Sequence, residues 1–289
     1  RSCTRDTKTN DMIQLFDDSC QQCSKLITNN YSTSFSLGIK MFHKKFRTPI
    51  YNIYGFVRFA DEIVDTFHDH NKMVLLDRFR SDTHQAIKEG ISLNPVLHAF
   101  QKTVRDYDID LELIDAFLDS MEMDLDKTSY EWSMYNKYIY GSAEVVGLMC
   151  LKVFTENNSS LYDSLVEPAR KLGSAFQKIN FLRDIKSDYE ERGRTYFPGV
   201  EYEEFDNVHK SEIEKDIAQD FHEGYLGVLK LPKGCRLGVY LAYVYYINLF
   251  KKIRQTPAST LSEERIRVPD RKKVLLLFSS AVRNSLNMI

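Results

Sequence analysis

The sequence predicts an all-α protein, and three observations carry that prediction. Apolar residues recur at spacings of three and four along most of the chain, sustained period-two alternation is absent, and only 12 glycines and 7 prolines interrupt 289 residues. With 43% apolar residues the chain can bury a sizeable core. No repeat of fixed period and no shift in composition separates two halves, so a single large helical domain is expected.

The elements follow in order. The first eleven residues, RSCTRDTKTND, are polar and begin with Arg, while Met12 opens the first apolar periodicity. They are read as a cloning remnant or leader, which leaves the domain at 12–289. Ile13, Phe16, Cys20, Cys23 and Ile27 keep helical spacing over 13–29, and Ile50, Ile53, Val57, Ala60, Val64 and Phe67 keep it over 48–67. Similar spacing marks 72–89, 110–124, 132–153, 161–190, 211–230 and 236–254. Between these segments Asn94–Pro95, Pro198–Gly199, Pro232–Lys233–Gly234 and the polar stretch 255–264 carry turn or loop chemistry.

Global properties exclude several function classes. With 39 Lys+Arg against 41 Asp+Glu the net charge is −2, so nothing points to nucleic acid and any anionic ligand must be met locally. Five cysteines without regular spacing indicate a reducing, cytoplasmic compartment. Cys20 and Cys23 form a CxxC that no second pair completes, and the seven histidines show no HExxH spacing, so zinc chemistry has no support. No GxSxG, Walker loop or GxGxxG is present. No apolar run approaches the ~18 residues of a membrane span, which suggests a soluble or peripheral protein.

Two acidic stripes stand out. In QKINFLRDIKSD (177–188), Asn180, Asp184 and Asp188 lie one turn apart on one helix face; in FVRFADEIVDTF (56–67), Asp61 and Asp65 do the same among aromatic and branched side chains. Like charges at that spacing repel, and carboxylates in apolar surroundings need a cation. One DxxxD alone is usually a solvated face with i,i+4 pairs; two in apolar surroundings reverse those odds. Oxygen-only ligands suit Mg²⁺ or Mn²⁺, and Mg²⁺ bridges a few carboxylates to substrate phosphates. Arg58, Arg183, Arg192 and Arg194 flank the stripes, so the constellation is a receptor for a diphosphate.

LGSAFQKINFLRDIKSDYEERGRTYFP (172–198) resembles the second signature of the squalene and phytoene synthase family, the head-to-head prenyl transferases. YSTSFSLGI (31–39) is similar to the family's serine-rich opening, YGFVRFADEIVD (54–65) to its first aspartate-rich helix, AEVVGLMCLKVF (143–154) to its small-residue helix and RIRVP (265–269) to its basic C-terminal segment. Tyr31 stands where many members have His, Thr33 where some have a basic residue and Glu144 where a small residue is usual. Tyr31 and Glu144 are read as clear of the stripes, and Glu144 as an ordinary surface glutamate, with a charge added near the cavity as the alternative.

The resemblance implies an isoprenoid-synthase fold with a central cavity. It implies metal ligation by Asp61, Asp65, Asn180, Asp184 and Asp188, catalytic roles for those aspartates with Tyr54 and Tyr196, and diphosphate binding by Ser32, Ser34, Arg58, Arg183, Arg194 and Arg267. Phe35, Ile39, Val145, Val146, Phe176 and Gln177 are candidates for a dry tunnel, and one or more of Tyr240, Tyr243 and Tyr246 for contact with the diphosphate or a cation. The implied reaction joins two prenyl diphosphates through a cyclopropylcarbinyl diphosphate to a linear hydrocarbon. Twenty-carbon geranylgeranyl diphosphate is the expected substrate, with fifteen-carbon farnesyl diphosphate and a non-catalytic helical scaffold as alternatives. Mg²⁺ is the expected cofactor, NADPH is not expected, and peripheral membrane association would serve release of a lipophilic product.

Overall fold

The computed structural model describes residues 3–126, 130–193, 195–200, 202–263 and 266, without the side chains of residues 3–10, Thr33, Ser34, Asp126, Glu191 and Arg192. Among the described residues the regular secondary structure is helical. The chain divides into two compact units, residues 1–110 and 111–289, at a point where composition marks no boundary.

The first unit holds α1 (Cys3–Tyr31), α2 (Thr33–Lys40), α3 (Lys44–Asp65), α4 (Lys72–Glu89) and α5 (Pro95–Asp106). Helix α1 begins well before Met12, so the polar stretch left out of the fold is helical from Cys3 onward. Helix α3 is central and packs against α1, α4 and α5. Its buried face carries Phe46, Ile50, Ile53, Phe56, Ala60, Ile63 and Val64, and Phe56 stacks on Phe100 of α5 at 3.9 Å between ring centres. Helix α5 is absent from the apolar pattern because His98, Gln101 and Thr103 are buried among its apolar residues and break the periodicity. The expected break at Asn94–Pro95 is its start: the Asn94 side chain accepts from the N–H groups of Val96 and Leu97, and Pro95 occupies the first turn. His98 Nδ1 accepts from the Ser92 N–H, so Nε2 donates to Asp17 at 2.7 Å and clamps α5 to α1.

The second unit holds α6 (Leu111–Asp126), α7 (Trp132–Ile139), a π-helical turn (Tyr140–Glu144), α8 (Val145–Thr155), α9 (Ser159–Arg192), a 3₁₀ turn (Tyr202–Glu204), α10 (Asn207–Lys230), α11 (Lys233–Arg254) and α12 (Ala258–Leu261). The 34-residue α9 is the spine, against which α10, α8, α11 and the π-helical turn pack. The segment expected as one helix over 132–153 is split by that π turn. Gly141, inside it, lies so close to α6 that a Cβ would sit 2.3 Å from the Ala116 carbonyl oxygen, and the wider turn accommodates the approach. Gly193, at φ +61°, caps α9 by donating to the carbonyls of Asp188 and Tyr189, so the second stripe ends one turn before the chain leaves the helix.

Candidate functional site

In the first unit the stripe lies on the last two turns of α3. Asp61 and Asp65 are half-buried, flanked by buried Ala60, Ile63 and Val64. Arg58 donates to Glu62 at 2.6 Å and stands 3.7 Å from Asp61. Burial alone would lower the Arg58 pKa, but the Glu62 hydrogen bond and the charges of Asp61, Glu62 and Asp65 outweigh it and hold the guanidinium charged. Glu62 is likewise held below the usual carboxyl range: burial works upward, and hydrogen bonds from Thr66, Arg58 and Tyr31 overcome it.

Tyr31 packs against the arginine that flanks this stripe. The Arg58 guanidinium lies 4.5 Å from the centre of its ring. Ser32 caps α2 by accepting from the Phe35 N–H at 3.2 Å, while the side chain of Ser34 lies outside the described residues. Phe35 stacks on Tyr54 at 4.4 Å, and Ile39, one turn along α2, is buried.

In the second unit Asn180, Asp184 and Asp188 share one face of α9, all half-buried. Arg183 clasps the adjacent Asp184 through Nε at 3.0 Å and through Nη2. Burial would lower the Arg183 pKa; the Asp184 hydrogen bonds and charge raise it. Asn180 is fixed from two sides, donating to Gln177 at 3.4 Å and accepting from Tyr246 at 3.2 Å, while Gln177 donates to Ser142 of the π turn at 3.1 Å. Phe176 stacks on Tyr246 at 4.0 Å. Of the three candidate tyrosines Tyr240, Tyr243 and Tyr246, the last bonds Asn180 of the stripe, while Tyr243 stacks on Tyr240 and on Tyr225. Val145 is fully buried and Val146 partly so.

Tyr196 is buried in an aromatic stack, 4.0 Å from Phe181 and 5.5 Å from Tyr138, and it lines a small recess with Asp188, Phe181 and Tyr202. Arg194 and Arg267 lie outside the described residues, as does the side chain of Arg192. Glu144 is not a surface residue: its side chain is 13% exposed and accepts from Arg170 Nε at 2.6 Å. Burial pushes its pKa up, against the pull of Arg170. Sequence reasoning missed this pair and the Tyr31–Arg58 stack because both join separate helices. Glu144 at a position where the family usually has a small residue was the available signal.

Among the described residues no three His, Cys, Asp or Glu side chains converge on one point. Each stripe offers a pair of carboxylates with an arginine beside it. The described residues thus define an all-α scaffold that presents arginine-flanked aspartate pairs on helix faces.

Residues 28–272 match the squalene/phytoene synthase family model, and the chain belongs to that family of head-to-head prenyltransferases acting on prenyl diphosphates in isoprenoid biosynthesis. It is 27% identical over 210 residues to a 4,4'-diapophytoene synthase of Staphylococcus haemolyticus, covering 72% of each chain. It is 25% identical over 287 residues to a chloroplastic phytoene synthase of Cucumis melo, covering 92% of this chain and 67% of that protein. In fold it is similar to a dehydrosqualene synthase crystallised with a ligand, with TM-score 0.79 at 22% identity over 96% of this chain and 99% of the other. It is also similar to the squalene synthase HpnC of Alicyclobacillus acidocaldarius, with TM-score 0.72 at 20% identity over 82% and 94%.

Proposed function

We propose that the protein is a Mg²⁺-dependent synthase that joins two geranylgeranyl diphosphates head to head, through prephytoene diphosphate, to phytoene, with release of two diphosphates. The observation that carries this reading is the pair of Asp–x–x–x–Asp stripes, each with an arginine hydrogen-bonded on its own helix. Paired half-buried carboxylates suit Mg²⁺, which keeps waters and takes phosphate oxygens in preference to a closed protein cage. Asp61 and Asp65 on one helix, and Asn180, Asp184 and Asp188 on another, would each hold such an ion, and the ions would neutralise charge developing on the leaving diphosphate.

The chain's own groups supply the rest. Arg58 and Arg183 offer planar forks to the diphosphate oxygens. In the first round the C–O bond of one allylic diphosphate breaks, the double bond of the second molecule forms the new C–C bond, and proton loss closes the cyclopropane. In the second round that intermediate loses its diphosphate, rearranges and gives up a proton. Phe35 stacked on Tyr54, and Phe176 stacked on Tyr246, present ring faces suited to cationic carbon and help exclude water. A fifteen-carbon substrate is the second reading, favoured by the relative named for diapophytoene.

Purified protein incubated with Mg²⁺ and each diphosphate separately, without NADPH, tests both. The expected product is a forty-carbon hydrocarbon from geranylgeranyl diphosphate, unchanged by NADPH and abolished by EDTA or by Asp61→Ala. Turnover of farnesyl diphosphate alone would select the second reading, and squalene formed only with NADPH would overturn the first.

A further inference from the structure

We infer that Tyr31 is a positioning residue, whose ring holds the Arg58 guanidinium beside Asp61 for a phosphate group; this rests on the diphosphate reading above. Tyr31 is the last residue of α1 and is 51% exposed, so burial does not account for its placement. Its ring centre lies 4.5 Å from the Arg58 guanidinium carbon, within the ~6 Å reach of a cation–π contact. Its hydroxyl is among the groups that hold the Glu62 carboxyl below its usual range, and Glu62 is the carboxylate that accepts from Arg58 Nη2 at 2.6 Å. The ring thus backs the arginine of this ion pair with its face.

A second observation shows that the guanidinium is held rather than left to find its best hydrogen bonds. Arg58 Nε is buried and has no hydrogen-bond partner. An unmet buried donor costs stability, so other contacts must set this rotamer. Glu62 reaches only the Nη end, and the Tyr31 ring supplies the face. Arginine has much rotamer freedom to lose on binding, and a side chain already backed by a ring loses less of it when a phosphate arrives.

Tyr31→Leu removes ring and hydroxyl, whereas Tyr31→Phe removes the hydroxyl alone. The half-exposed site predicts that both fold, which a melting curve checks. Three readouts apply: the ring-current shift of the Arg58 side-chain protons by NMR, binding of magnesium pyrophosphate by calorimetry, and the division of any turnover defect between KM and kcat. For Tyr31→Leu the expected results are loss of the ring-current shift, about three- to tenfold weaker pyrophosphate binding, and an equal rise in KM with kcat nearly unchanged. Tyr31→Phe keeps the shift and most of the affinity. In an Arg58→Lys background Tyr31→Leu costs less than about twofold, since the group it positions is gone.

Unchanged Arg58 shifts in Tyr31→Leu, or an equal loss of binding in both Arg58 backgrounds, would overturn the inference. If the wild-type protein neither bound pyrophosphate nor converted any prenyl diphosphate, the functional reading would fall instead. The Arg58 shift would still decide whether Tyr31 holds the guanidinium.

Discussion

Arg58 and Arg183 supply, within their own helices, part of the positive charge that two aspartates one turn apart require. These contacts were legible in the sequence, because helix geometry places residues one to four apart within reach. Glu144 was not, since its partner Arg170 lies on another helix. Glu144 also has a measurable consequence. Burial raises its pKa above the ordinary 4.5, so the folded protein holds this proton more tightly than the unfolded chain does. That contribution is fully present below about pH 4.5 and is lost as pH rises through the folded value. Glu144→Gln removes the titration. The denaturation midpoint of the variant relative to wild type is therefore expected to rise between pH 4 and pH 7, as read from urea curves at each pH.

At the scale of elements, the α9–α10 interface is built on a buried charge cluster that apolar periodicity does not announce. Asp220, 1% exposed, accepts from Lys178 at 2.7 Å, Lys171 at 3.1 Å and Ser174 at 2.7 Å. Asp216 also binds Lys178, but its side chain is 59% exposed. Removing one partner of a buried pair leaves the other charge uncompensated, at a cost of about 3–5 kcal/mol, whereas an exposed pair is worth about 1 kcal/mol or less. Asp220→Ala is therefore expected to destabilise by about 3–5 kcal/mol, while Asp216→Ala costs at most about 1 kcal/mol. Chemical denaturation of the two variants side by side checks the contrast. The π turn at Tyr140–Glu144 was equally hidden, because the approach of α6 to Gly141 demands it and no local propensity does.

At the scale of the whole molecule, the two units are expected to answer acid differently. In the first, Asp17 sits below its usual 3.8: burial works upward, but hydrogen bonds from His98 and Lys102 prevail. Stability from such a depressed carboxyl is present above its unfolded value and is lost as pH falls through the folded one. Protection of α1 and α5 against hydrogen exchange should therefore hold down to about pH 4 and fall below it. Asp17→Asn should weaken those helices by about 1–3 kcal/mol at pH 7, with the difference from wild type shrinking in strong acid. Glu144 in the second unit works in the opposite direction over its own range. No described helix is long and apolar enough to cross a membrane.

The sequence by itself determined the helical class, the family and the two aspartate stripes. All three rest on short-range periodicity and spaced signatures that survive without knowledge of what packs where. Tertiary structure decided the rest: that α5 is a helix despite its buried polar residues, that 132–153 breaks at a π turn, that Tyr31 backs Arg58, and that Tyr246 and Gln177 orient Asn180. The physical reason is the same in each case. A buried polar group, or a guanidinium on a ring, is stabilised only by its partner, and these partners are set by the packing of separate helices rather than by local spacing.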